Sequence, residues 1–88
     1  MSTNKHASFR YRTLNQCFCN RGRRKWTLDE LTEAVSRQLQ EDFGVDLLVS
    51  KRTIQGDINI MRSGRPRGFD APIICKRGLY FYDDPNFS

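Results

Sequence analysis

Residues 50–63, Ser50-Lys51-Arg52-Thr53-Ile54-Gln55-Gly56-Asp57-Ile58-Asn59-Ile60-Met61-Arg62-Ser63, decide the fold. On a helical wheel they divide into two sides. Ile54, Ile58 and Met61 recur at spacings of four and three, so they share one apolar stripe. Arg52, Gln55, Gly56, Asn59 and Ser63 fall opposite, with Lys51 and Arg62 on one flank. Ser50 suits an N-cap, because its hydroxyl can accept from N–H groups of the first turn. Gly64 follows the last turn, where a left-handed residue often closes a helix. The spacing therefore predicts a short helix over 51–63 with one buried and one outward stripe. The outward stripe carries long hydrogen-bonding side chains and one glycine. Such a face fits the major groove of DNA, where Arg pairs with guanine and Asn or Gln with adenine. A solvated polar face would show the same pattern, so the rest of the chain has to decide.

Working outward, 88 residues with 38% hydrophobic and 28% charged side chains form one small folded domain rather than a disordered tail. The net charge of +5 favours a polyanionic partner, with nucleic acid ahead of a membrane surface. No apolar run approaches the roughly 20 residues that a membrane span needs. The three cysteines, Cys17, Cys19 and Cys75, lack zinc-knuckle spacing, and His6 alone completes no metal site. No metal or other cofactor is expected. An odd cysteine count without a secretory signal points to a reducing cytoplasm. Cys17 reads as a small buried hydrophobe.

Two helices precede the central one. Ala7, Tyr11, Leu14 and Phe18 draw a stripe within a helix over 6–19, with Arg10, Arg12, Asn15 and Gln16 on its other sides. Phe9 lies off that stripe, against a neighbouring element or a second chain. Gly22 breaks the helix inside a cluster of positive charges, Arg21, Arg23, Arg24 and Lys25. This loop either clamps a phosphate backbone or is simply solvated. Thr27 and Glu30 form a capping box for a helix over 28–43, and Trp26, Leu28 and Leu31 close over its start. Asp29, Glu30 and Glu33 complement the positive end of its dipole. Leu28, Leu31, Val35 and Leu39 form its stripe, Ala34 lies beside them, and Gly44 ends it. Residues 45–49 (VDLLV) make a short apolar link that buries Leu47 or Leu48 and Val49 and turns the chain into the central helix.

Beyond Gly64 the character changes. Arg65-Pro66-Arg67-Gly68 is a basic turn. Two β-prone runs, Pro72–Cys75 and Leu79–Tyr82, flank Lys76-Arg77-Gly78, where glycine supplies a positive φ. This is a hairpin over about 72–83 with a basic tip, and it has to pack on the helices to be stable. Lys25-Trp26-Thr27 offers a third strand. Asp57, at the edge of the apolar stripe, would be repelled by phosphate, so a structural bond to a neighbouring Arg is expected for it.

Three helices followed by a hairpin define a mainly α class, the winged helix-turn-helix plan of a three-helix core plus wing. On that plan Arg52, Gln55 and Asn59 read bases. Lys51, Thr53, Arg62, Arg23, Arg24, Lys25, Lys76 and Arg77 contact the backbone of double-stranded DNA. Val49-Ser50-Lys51-Arg52-Thr53-Ile54 with Asp57-Ile58 resembles the VS-x-R-T-I-x-x-D-I recognition helix of DeoR-like and WYL-domain transcriptional regulators. The opening Asn4-Lys5-His6-Ala7 with Arg10-Tyr11 and Leu14 is closer still to the N-terminal domains of bacterial WYL-type regulators. So is the ending Tyr80-x-Tyr82-x-Asp84-Pro85-Asn86-Phe87-Ser88. The likeness spans nearly the whole chain. It implies a DNA-binding domain that normally precedes a WYL sensor domain, absent from this chain, and the abrupt ending fits the N-terminal piece of a longer protein. One departure stands out: the family often carries basic residues where this chain has Gln55-Gly56. Gly56 weakens a helix by about 1 kcal/mol relative to Ala. It either permits closer approach to DNA or weakens binding.

The alternative function is a winged helix used for protein–protein contact, with Phe9, Ile60 and Phe87 forming an apolar patch. Enzyme chemistry is not expected, because no general-base histidine constellation, phosphate loop or activated nucleophile is present. Readers of this kind often bind paired half-sites as dimers. No dimer seam is evident in the sequence, which leaves homodimer formation open.

Overall fold

The computed structural model describes residues 6–44, 49–64 and 70–84. Three helices, α1 (Ala7–Phe18), α2 (Leu28–Phe43) and α3 (Lys51–Arg62), precede strands β1 (Ile73–Lys76) and β2 (Leu79–Tyr82). The strands form one antiparallel hairpin with Ile73 opposite Tyr82 and Lys76 opposite Leu79. This is a winged helix: a three-helix core with a two-stranded wing.

The core lies where the three stripes meet. Leu14 and Phe18 of α1, Leu31, Val35 and Leu39 of α2, and Ile54, Ile58 and Met61 of α3 are all buried. Each contributes about 1.5–3 kcal/mol by leaving water. Ile73 and Tyr82 extend this core into the wing, and the Tyr82 ring lies 5.0 Å from that of Phe18. The Tyr82 hydroxyl donates to Asn15 Oδ1 at 2.6 Å, which ties β2 to α1. Burial pushes its ionisation well above the ordinary tyrosine value.

The helix ends follow local chemistry. Thr27 and Glu30 form the reciprocal capping box at the start of α2. Gly44 closes that helix in the left-handed region at φ 67°. Ser50 Oγ accepts from the Thr53 N–H at 3.2 Å. The end of α3 departs from expectation. Gly64 does not adopt a positive φ, and the cap is extended Ser63, whose hydroxyl donates to the Asn59 carbonyl at 2.8 Å. The side chain thus does the work expected of a left-handed glycine.

Three further expectations are corrected or narrowed. Arg10, assigned by spacing to a polar side of α1, is buried at 6% exposure. It follows the Arg10–Leu14–Cys17 spacing of the inner stripe and is carried inside by an ion pair described below. The stretch Lys25-Trp26-Thr27 forms no third strand; only Trp26 bridges, exchanging both backbone hydrogen bonds with Tyr80 at 3.1 and 2.7 Å. Phe9 packs on the fold itself, edge-on to Phe43 at 5.3 Å. Leu47 and Leu48, Arg65 and Arg67, and Phe87 lie outside the described residues.

Candidate nucleic-acid interface

The candidate interface is built on α3, which is oriented from its inner side. Arg10 Nε donates to Asp57 Oδ2 at 2.5 Å, and Nη2 donates to Oδ1 at 3.0 Å. Both side chains are almost wholly buried, at 7% and 4% exposure. This is a bidentate, desolvated pair joining α1 to α3 across 47 residues of sequence. The hydrogen bonds that Arg10 donates to Asp57, and the charge of that carboxylate, hold Arg10 firmly protonated against the opposing pull of burial. Together with the buried Ile54, Ile58 and Met61, the pair orients α3 against the core. Asp57 is thereby kept away from any phosphate, on the face opposite Arg52 and Asn59.

The outer side is different. Arg52 and Gln55 are exposed and have no hydrogen-bond or ion-pair partner among the described residues. Asn59 is exposed as well, but its Oδ1 already accepts from Arg62 Nη2 at 3.0 Å. A carbonyl oxygen has a second lone pair, so Asn59 can still serve a base while bonded to Arg62. Arg62 Nη1 reaches the Ile73 carbonyl at 3.4 Å, so Arg62 also braces the base of the wing against α3.

The expected backbone contacts fall into two groups. Arg24, Lys76 and Arg77 are exposed and free of partners among the described residues. The others are engaged. Lys51 Nζ lies 2.5 Å from Asp29 Oδ1. Arg23 pairs with Glu30 and lies over the Trp26 ring at 4.2 Å. Lys25 Nζ sits over the Phe81 ring at 5.0 Å. Thr53 Oγ1 shares a hydrogen bond with Ser50 Oγ at 3.1 Å. These pairs are largely exposed, and such pairs contribute roughly 0–1 kcal/mol, so a phosphate can displace them. Trp26 is the hub of this region. Its indole N–H donates to the Cys17 carbonyl at 2.9 Å, and its backbone pairs with Tyr80, so the basic loop is held to both α1 and the wing.

The wing tip is tighter than expected. Lys76 belongs to β1, and the loop is only Arg77-Gly78, with φ of 55° and 79°. Positive φ at both central residues is the I′ geometry that matches strand twist, usually filled by Asn-Gly. Arg77 therefore holds a conformation that costs about 1–2 kcal/mol for a residue with a Cβ. Sequence reading anticipated the glycine and missed the arginine.

Among the described residues, no group of three or more acidic, His or Cys side chains could hold a metal ion, and no helix is long and apolar enough to cross a membrane. Burial pushes the Cys17 thiol up to about 11, as for an inert core cysteine.

A three-helix core with a basic two-stranded wing and a polar third helix defines the winged helix class. The family model for the N-terminal winged helix domain of WYL domain-containing proteins matches residues 6–83. The chain belongs to that family. A search of curated proteins and one of solved structures each gave no significant match.

Proposed function

We propose that this chain is the sequence-reading DNA-binding domain of a cytoplasmic transcriptional regulator, in which it precedes a WYL domain. In this reading α3 enters the major groove. Arg52, Gln55 and Asn59 meet base edges. Lys51, Thr53, Arg62, Arg23, Arg24, Lys25, Lys76 and Arg77 lie near phosphates. The observation that carries the reading is the contrast around α3. Among the described residues no buried side-chain polar atom lacks a partner, yet Arg52 and Gln55 project outward with none. The family membership and the +5 charge support the same reading.

Selection of bound duplexes from a random pool at physiological salt tests this directly. Enrichment of a defined sequence is expected, and a dimer would enrich half-sites about 10–10.5 bp apart, whereas a monomer would enrich one. With four to six phosphate contacts, affinity for the selected duplex should fall about a hundredfold or more over a fourfold rise in salt. A pool that shows no enrichment contradicts the proposal.

A further inference from the structure

Gly56 lies inside α3, a place where glycine is a poor choice, and nothing among the described residues calls for it. Its φ is not positive, unlike those of Gly44 and Gly78. A Cβ built there would meet no atom within 4 Å, so no neighbouring element demands a bare backbone. The position faces outward. Its helical neighbours at four before, three after and four after are Arg52, Asn59 and Ile60. Ile60 is one of two large hydrophobic residues left exposed among those described, at 37%. The result is a shallow gap in the outer face of α3, floored by the Gly56 backbone, with the exposed Ile60 side chain one turn along and more than 4 Å from where a Cβ would stand.

From this we infer that the Gly56–Ile60 notch receives the 5-methyl group of a thymine, making Gly56 a specificity-determining position. The inference rests on the groove reading above and deepens it. Backbone N–H and C=O groups in the middle of a helix are occupied by the i to i−4 ladder, so the notch offers no free donor or acceptor to a base edge. What it does offer is space and apolar surface. In the major groove the thymine methyl is the group that matches, since the other base-edge features are hydrogen-bond donors and acceptors. A Cβ at position 56 would crowd a methyl seated against the Gly56 backbone. The glycine thus sacrifices helix stability for contact with a partner outside the chain.

Gly56→Ala separates stability from binding in one variant, and it is expected to fold better than the natural chain. Its melting temperature should rise by about 4–8 °C, the shift expected in a domain of this size when a mid-helix Gly becomes Ala. Its affinity for the selected duplex should fall at least about fivefold, the low end of a single base-pair mismatch. Each thymine in that duplex is then replaced singly by deoxyuridine, which removes only the methyl. One replacement should weaken the natural chain about fourfold, the worth of one buried methyl, and leave Gly56→Ala almost unaffected. If Gly56→Ala binds as tightly as the natural chain, or if every deoxyuridine duplex binds like its parent, the inference is overturned while groove reading stands. A selection that enriches no duplex overturns both.

Discussion

The two sides of α3 differ in kind. The inner side is closed: Ile54, Ile58 and Met61 are buried, and the charge of Asp57 is fully answered by Arg10. The outer side is open: among the described residues Arg52 and Gln55 have no partner, Gly56 leaves a gap, and Ile60 is left exposed. A buried ion pair is a poor source of stability compared with apolar packing, because both charges lose water. Its value here is geometric. A planar guanidinium gripping a carboxylate at two points fixes the rotation of α3, and so fixes which side chains face outward.

That contrast can be broken from the inside. Arg10→Ala leaves Asp57 buried and unpaired, and should cost about 3–5 kcal/mol in denaturant unfolding. The double change Arg10→Met with Asp57→Leu, which replaces both charges by apolar groups of similar size, should recover much of that stability. It should not recover full base preference if the bidentate grip sets the helix rotation. Equal specificity in the double variant and the natural chain would reduce the pair to ordinary packing.

The outer side is sharpened by removing its free groups. Arg52→Ala should cost about 1–3 kcal/mol of binding to the selected duplex and relax preference at one base pair, read by fluorescence anisotropy against single-position variants. Lys76→Ala and Arg77→Asn should weaken all duplexes alike and each lower the log–log salt slope by about 0.9. Asparagine is preferred at position 77 because it tolerates the left-handed conformation that Arg77 already holds.

The smallest effect concerns Glu30 at the start of α2. The backbone N–H of Thr27, and then the side chain of Arg23, hold its carboxyl below the usual value of 4.5. A depressed carboxyl stabilises the fold while ionised, so its contribution is present above pH 4.5 and is lost as pH falls through the lower folded value. Melting temperature should therefore drop on acidification below about pH 5. In Glu30→Gln, which can still cap Thr27 but cannot titrate, that drop should be shallower.

Much of this fold was legible because its local signals agree. The capping box at Thr27 and Glu30, the terminal Gly44 and the three apolar stripes each name an element without reference to the others. What escaped was non-local. A structural bond to an Arg is expected for Asp57, but spacing sets Arg10 on a polar side of α1, and nothing in the local sequence names these two, 47 residues apart, as partners. The hydrogen bond from Tyr82 to Asn15 and the one from the Val49 N–H to Ser36 Oγ are likewise contacts that only the packed chain creates. At the interface, residue types suggested which groups could touch DNA. They did not reveal that Lys51, Arg23 and Arg62 are already engaged, while Arg52, Gln55, Arg24, Lys76 and Arg77 have no partner among the described residues.

The most direct measurement is the ratio of affinities for the selected duplex and a shuffled duplex of the same composition, followed as salt is raised. Groove reading by the open side of α3 requires both affinities to fall together while their ratio stays at about a thousand or more. A ratio near one at every salt concentration would mean that this helix reads no sequence.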